Sequence, residues 1–133
     1  MTDPSERVLR LAAQSVLARR RIGDALVQTP CLQSRVAVPS GTQLYYKTEN
    51  FQHTGSFKLR GAWSTLSGLP TDRPVISASS GNHGIACSHA AMTTGHKLTV
   101  VLPENVAKAK LAKIESYGTN TILHPGDSGM AEL

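Results

Sequence analysis

Apolar and polar positions alternate with different periods in the two halves of the chain. In the first half, apolar residues recur every three or four positions, which predicts an amphipathic helix from Ser5 to Arg21 with Ser5 as its N-cap. Thr29-Pro30 interrupts this period and predicts an extended segment. Pro39-Ser40-Gly41 predicts a turn, and residues 43–48 after it predict a strand.

In the second half, short apolar runs alternate with helical periods. The sequence predicts helices at 57–66, 85–94 and 106–117, strands at 74–78, 97–102 and 120–124, and the start of a further helix after Pro125-Gly126-Asp127-Ser128. Strands and helices that alternate with short connections favour a parallel sheet with helices on its faces. Ligands in such sheets bind where the strands end, so we expect a site at residues 79–84.

One lysine lies at the start of a predicted helix, within the run Thr54-Gly55-Ser56-Phe57-Lys58-Leu59-Arg60-Gly61-Ala62. Partial desolvation and the positive end of the helix dipole would both penalise its ammonium form. They would lower the pKa of Lys58 and leave more free amine for Schiff-base chemistry with a carbonyl compound. The alternative is a surface lysine whose ammonium group stays in water, which would be favoured for any isolated lysine.

A second polar segment follows a predicted strand and reads Ser79-Ser80-Gly81-Asn82-His83-Gly84. Its glycines allow close backbone approach, and the N–H groups at the start of the next helix favour an anion. The hydroxyls of Ser79 and Ser80 and the amide of Asn82 are further donors that would orient a carboxylate. A polar turn that caps the helix explains the same residues equally well. The segment has neither of the common nucleotide-binding glycine patterns.

Composition and charge narrow the classes of protein. The chain has 133 residues, which is enough for one domain with a core, and its net charge is +5. Basic clusters suggest an anionic ligand, nucleic acid or solvated helix faces, and the lack of interleaved aromatic residues favours solvated faces. The histidines lack metal-ligand spacing, and Cys31 and Cys87 are expected to be packed thiols rather than a disulfide framework. A polar N-terminus and the absence of long apolar runs predict a cytoplasmic protein.

Taken together, the two motifs resemble those of fold-type-II pyridoxal-phosphate-dependent enzymes, in the branch of the serine/threonine dehydratases and serine racemases. The similarity begins at Thr29-Pro30, includes 47–62 and 79–84, and continues to Tyr117-Gly118. It implies an α/β fold, a three-layer parallel sheet with flanking helices like that of the tryptophan synthase β subunit. It also implies pyridoxal 5′-phosphate as cofactor and serine or threonine as substrate. The complete enzyme would be a homo-oligomer without nucleic-acid or membrane partners.

The resemblance assigns roles to individual residues. Lys58 would form the Schiff base with the cofactor and then act as the base at Cα, with Phe57 against the cofactor ring. Asn82 would donate a hydrogen bond to the phenolic oxygen of that ring. In a racemase, Ser80 would be the acid/base on the opposite face. The residues that would bind the substrate are Ser79, Ser80, Gly81, Asn82 and His83. Structural roles are expected for Glu49, Gln52 and Arg60.

The resemblance also divides the chain. Residues 1–47 would be a helix and extended arm that dock on a larger domain, and residues 48–133 a partial small α/β domain that carries both motifs. The sequence lacks the family's glycine-rich phosphate-binding loop. We therefore expect an ammonia-lyase that yields a 2-oxo acid and ammonia, with little or no activity from this chain alone. The alternatives are a serine racemase, another β-eliminating member, or a truncated module without catalysis.

Overall fold

The computed structural model describes residues 3–126, which form an α/β fold. Its helices are α1 (Pro4–Ile22), α2 (Lys58–Leu66), α3 (Asn82–Thr94) and α4 (Lys108–Glu115), with a short 3-10 helix at Glu49–Phe51. Its strands are β1 (Cys31–Gln33), β2 (Tyr45–Lys47), β3 (Val75–Ala78), β4 (Leu98–Pro103) and β5 (Asn120–His124). The helix predicted after Ser128 lies outside the described residues. Between residues 3 and 126, no helix is both long and apolar enough to cross a membrane.

Helix α1 forms where its apolar period predicted it, but its N-cap lies two residues before the predicted one. The carboxylate of Asp3 accepts a hydrogen bond from the backbone N–H of Ser5 at 3.1 Å, and Pro4 occupies the first turn. Ser5 is therefore not the N-cap, because Asp3 already fills that position. The apolar stripe is largely uncovered: Val8, Leu9, Leu11, Val16 and Leu17 are each more than half exposed.

The second half contains the predicted parallel sheet. Strand β4 lies between β3 and β5 and pairs with both in parallel register. Leu98, Val100 and Leu102 alternate along β4 and are buried, which explains its central position. The predicted α/β class with a parallel sheet is confirmed. Strands β1 and β2 form a separate antiparallel pair, which the apolar pattern did not predict because it does not specify pairing partners.

The core fixes the positions of both motifs. It includes Leu59, Ala62 and Leu66 of α2, together with Ala86 and Ala90 of α3. It also includes Ile22 and Leu26, which follow the exposed part of α1. Leu59 has no exposed surface and directly follows Lys58, so the packing of α2 holds the backbone of that lysine in place.

Helix α3 starts earlier than predicted. It begins at Asn82 rather than Ile85, and Gly81 is its N-cap in an extended conformation (φ −119°, ψ −155°). Asn82, His83 and Gly84 therefore form its first turn, and the predicted polar turn shortens to residues 79–81. Weak helix formers are tolerated there because the first N–H groups of a helix have no intrahelical partner.

A stack of two imidazole rings joins the segment before α2 to helix α3. The ring centroids of His53 and His89 are 5.6 Å apart with an interplanar angle of 10°, and Tyr117 meets His89 edge-on at 5.3 Å. Burial is the main cause that lowers the pKa of His89, and the charges of His53 and Lys113 add to it. The folded protein therefore disfavours the protonated form of His89 relative to the unfolded chain.

The lowered pKa of His89 predicts that the folded protein loses stability in acid. Unfolding restores the ordinary pKa of His89, about 6.5, so the unfolded chain binds more protons than the folded one below that pH. The contribution of neutral His89 is present above about pH 6.5 and declines as the pH falls below it. In urea unfolding at a series of pH values, His89→Phe should flatten this part of the stability profile. An equally steep profile in the variant would contradict the prediction.

Candidate functional site

The two sequence motifs face one open pocket of about 730 Å³. Its lining comes from the start of α2, the end of β3 and the loop that leads into α3, and consists of Lys58, Ser77, Ala78, Ser79, Gly81, Asn82 and His83. The pocket thus lies where a parallel strand ends, as the alternation of strands and helices led us to expect. Phe57 and Ser80 do not line it.

Lys58 is the first residue of α2, as predicted, and its side chain is exposed. The partial desolvation expected for its ammonium group is therefore absent in this structure, because the pocket is open to solvent. Its Nζ lies 5.3 Å from the centroid of the Phe57 ring, which is 60% exposed. The amine and the aromatic ring are thus adjacent, and both are accessible to a ligand.

The loop between β3 and α3 is held by hydrogen bonds at its start. The backbone N–H of Ser79 donates to the carbonyl of Val101 at 3.2 Å, and its hydroxyl accepts from the N–H of Gly81 at 3.3 Å. The N-cap of α3 is Gly81, which has no side chain to accept a hydrogen bond from the first turn. The N–H groups at this helix start are suited to an anion.

Gly84 allows this loop to approach α3 closely. A Cβ atom built at Gly84 would lie 2.5 Å from the carbonyl oxygen of Ser79 and 3.3 Å from Cδ1 of Ile114. Real Cβ atoms essentially never come so close to another heavy atom. Glycine is therefore required at position 84 because a Cβ atom has no room there, and not because of its backbone conformation.

A two-fold hydrogen-bonded ion pair connects the Lys58 helix to the segments before it. Nε and Nη2 of Arg60 each donate to the carboxylate of Glu49 at 2.8 Å, and the hydroxyl of Thr29 donates to the same group at 2.6 Å. The side-chain amide of Gln52 bonds both the N–H and the carbonyl of Val27 at 3.0 Å. These contacts agree with the structural roles expected for Glu49, Gln52 and Arg60.

The ion pair predicts a marked loss of stability when Arg60 is replaced. Hydrogen bonds from Arg60 hold the pKa of Glu49 below its usual range, against the opposing effect of burial. Arg60→Met would leave a largely covered carboxylate without its main partner, and we expect the free energy of unfolding to fall by about 2 kcal/mol at neutral pH. The measurement is urea unfolding of the variant beside the unmodified chain.

A matched variant and the pH dependence of stability test whether loss of the ion pair causes the destabilisation by Arg60→Met. Arg19→Met removes an exposed bond to the carbonyl of Gly23 and should change stability by no more than about 0.5 kcal/mol. Because the folded-state pKa of Glu49 is lowered, the benefit of Arg60 is present above the ordinary value of about 4.3 and is lost at lower pH. If Arg60→Met lowered the free energy of unfolding equally in acid, the loss would come from packing and not from the ion pair.

The two cysteines differ in burial. Cys87 is buried, as predicted, whereas Cys31 is exposed because every residue of β1 is exposed. The prediction of Cys31 as a packed thiol is therefore wrong. The contact of Cys87 with His83 was not predicted, although four-residue spacing on one helix would have indicated it. Within residues 3–126 there is no cluster of three or more potential metal ligands.

Fold and site thus define an α/β protein with a lysine and the start of a helix facing one pocket. Comparison with known sequences agrees with this description. The family model described as pyridoxal-phosphate dependent enzyme matches residues 22–133. A putative threonine dehydratase from Sinorhizobium fredii is 43% identical over 76% of this chain and 32% of its own length. Mouse serine racemase (Mus musculus) is 38% identical over 79% of this chain and 33% of its own length.

A solved structure extends the similarity to nearly the whole chain. The processed form of threonine deaminase isoform 2 from Solanum lycopersicum superposes with a TM-score of 0.80 at 25% identity, over 98% of this chain and 38% of that one. The chain therefore belongs to the pyridoxal-phosphate-dependent enzymes of fold type II, whose cofactor is pyridoxal 5′-phosphate. It spans about one third of the length of the curated relatives it matches.

Proposed function

We propose that this chain carries the lysine side of the active site of a serine or threonine dehydratase. The observation that supports this most directly is that Lys58 and the start of α3 line the same pocket. A primary amine for the aldehyde and backbone N–H groups for a carboxylate are two of the groups that such a site needs. We also propose serine or threonine as substrate, a homo-oligomeric complete enzyme, a cytoplasmic location, and no nucleic-acid or membrane partner.

The residues around the pocket fit the cofactor. Pyridoxal 5′-phosphate, when bound, supplies an electron sink for a carbanion at Cα. Lys58 would hold it through Nζ and would later accept the Cα proton at the same atom. The exposed ring of Phe57 is available to pack against it, and the amide of Asn82 would donate to its phenolic oxygen. The substrate would be bound, chiefly through its carboxylate, by Ser79, Ser80, Gly81, Asn82 and His83.

The dehydratase reaction expels the β-hydroxyl group of the substrate and ends in a 2-oxo acid and ammonia. Serine racemase is the second candidate, since the relatives include a serine racemase as well as a putative threonine dehydratase. In that reaction Ser80 would return a proton to Cα from the opposite face. Exchange of the Cα hydrogen for deuterium with inversion would identify the racemase, whereas 2-oxo acid formation without inversion would identify the dehydratase.

We propose that this chain alone is poorly active or inactive. Its sequence has no glycine-rich segment of the kind that binds the cofactor phosphate, and loss of that anchor reduces the effective concentration of the aldehyde at Lys58. We also propose that residues 1–47 are an arm for a larger domain and residues 48–133 a partial small domain. Turnover of serine or threonine by the isolated chain would contradict this proposal.

The proposed function is tested by adding pyridoxal phosphate to the purified chain. We expect a new visible absorbance and, after reduction with borohydride, a covalent adduct that peptide mapping locates at Lys58. An adduct spread evenly over the exposed lysines, or none, would contradict the proposal and favour a non-catalytic module. The experiment depends only on Nζ of Lys58 and needs no turnover.

A further inference from the structure

A buried thiol supports the imidazole of His83 at the edge of the Lys58 pocket. Sγ of Cys87 lies 3.5 Å from Nε2 and 3.9 Å from Nδ1 of that ring. Cys87 is 8% exposed, whereas His83 is exposed. The two residues are four positions apart on α3 and therefore lie on the same face of the helix.

The two distances locate the sulfur relative to the ring. A thiol aligned with the lone pair of one nitrogen would lie much farther from the other, because the two lone pairs point away from each other. The near equality of the distances places the sulfur against the ring face or beside the carbon between the nitrogens. Neither ring nitrogen is therefore engaged in an aligned hydrogen bond with the thiol, and both can form hydrogen bonds with a ligand.

The surroundings keep Cys87 neutral and in place. Burial raises the pKa of its thiol, and a hydrogen bond with Ser77 opposes this effect only in part. Cys87 also lines a second pocket of about 200 Å³, whose walls include Ala62, Leu66 and Val75, and His83 borders both pockets. The thiol and the imidazole thus share a largely apolar space that lies next to the Lys58 pocket.

We propose that Cys87 is a positioning residue, which holds the ring of His83 so that one of its nitrogens donates a hydrogen bond to the substrate carboxylate at the start of α3. This inference rests on the proposed function, because it assumes that a carboxylate binds there. Cys87→Ala would remove the support and let the ring enter the smaller pocket. Cys87→Ser would nearly keep the size of the side chain but offer a stronger donor, toward which the ring would turn so that one of its nitrogens accepts the hydrogen bond.

The test follows the imidazole of His83 by NMR while acetate, a simple carboxylate, is added to the full chain. Acetate should shift the His83 signals of the unmodified chain, and Cys87→Ala should weaken its binding about tenfold, the loss of one hydrogen bond to a charged group. In Cys87→Ser we expect the nitrogen shifts of His83 to show one fixed tautomer. If Cys87 only stabilised the fold, neither the acetate affinity nor the nitrogen shifts of His83 would change.

The controls keep this inference separate from the proposed function. Cys31→Ala changes an exposed thiol on β1 and should leave acetate binding unchanged. Unaltered signals of the buried His96 would show that each variant is folded. Equal acetate affinity in Cys87→Ala, or no acetate shift at His83 of the unmodified chain, would overturn the positioning role. Should the Lys58 adduct form all the same, the proposed function stands without it.

Discussion

Lys58→Ala should abolish the site-specific adduct with pyridoxal phosphate. A primary amine is needed to capture the aldehyde, and Lys58 is the lysine that lines the pocket. Asn82 at the start of α3 would donate to the phenolic oxygen of the cofactor and hold the aldehyde near this amine, more weakly than in an enzyme that also anchors the phosphate. We therefore expect the mapped adduct to disappear and the visible absorbance to fall to the level of non-specific reaction with surface lysines.

Two further variants define what this loss means. Lys58→Arg keeps the positive charge beside Phe57 but cannot capture the aldehyde, so it should behave like alanine in the adduct assay. Lys97→Ala removes an exposed lysine before β4 and should leave the adduct at Lys58 intact. Residual adduct of the same yield in Lys58→Ala would show that another amine serves the site.

The sequence was sufficient to predict helices α1 to α4 and strands β2 to β5, because each apolar period is local. Strand β1 was predicted only as an extended segment, and the 3-10 helix at Glu49–Phe51 was not predicted. Strand β5 occurs at the predicted residues, β3 begins one residue later than predicted, and β4 is shifted by one residue at both ends. The pairing of β1 with β2 was not predictable, since it depends on residues 31–33 meeting residues 45–47 across a long connection. Cys31 lies in this pair of strands, and every residue of both strands is exposed.

The candidate site was predictable at the level of residues but not of contacts. The order of strand, loop and helix predicted that residues 79–84 would lie at a strand end, and the resemblance placed Lys58 beside them. The partners of Glu49 and Arg60 depend on how α2 packs against the segment around Thr29. The openness of the pocket, which leaves Lys58 exposed, likewise depends on what packs around it and has no local pattern.

Gly84→Ala should destabilise the protein and displace the loop that begins the candidate site. Alanine favours a helix over glycine by about 1 kcal/mol, so propensity alone predicts stabilisation. The added methyl group would instead meet the carbonyl oxygen of Ser79 at 2.5 Å, and that oxygen is backbone, so it cannot turn aside as a flexible side chain would. We expect overpacking to outweigh propensity and to lower the free energy of unfolding by about 2 kcal/mol.

Gly61→Ala is the matched control, because it makes the same substitution within α2. A Cβ atom at Gly61 would have no other atom within 4 Å, so helix propensity acts alone and should raise stability by up to about 1 kcal/mol. The two variants should therefore shift the urea midpoint in opposite directions. Gly84→Ala should also weaken the acetate response of His83, since relief of the clash moves Ser79 or the first turn of α3. Stabilisation by both substitutions would show that the loop yields freely, and that close packing at Gly84 does not hold the site in shape.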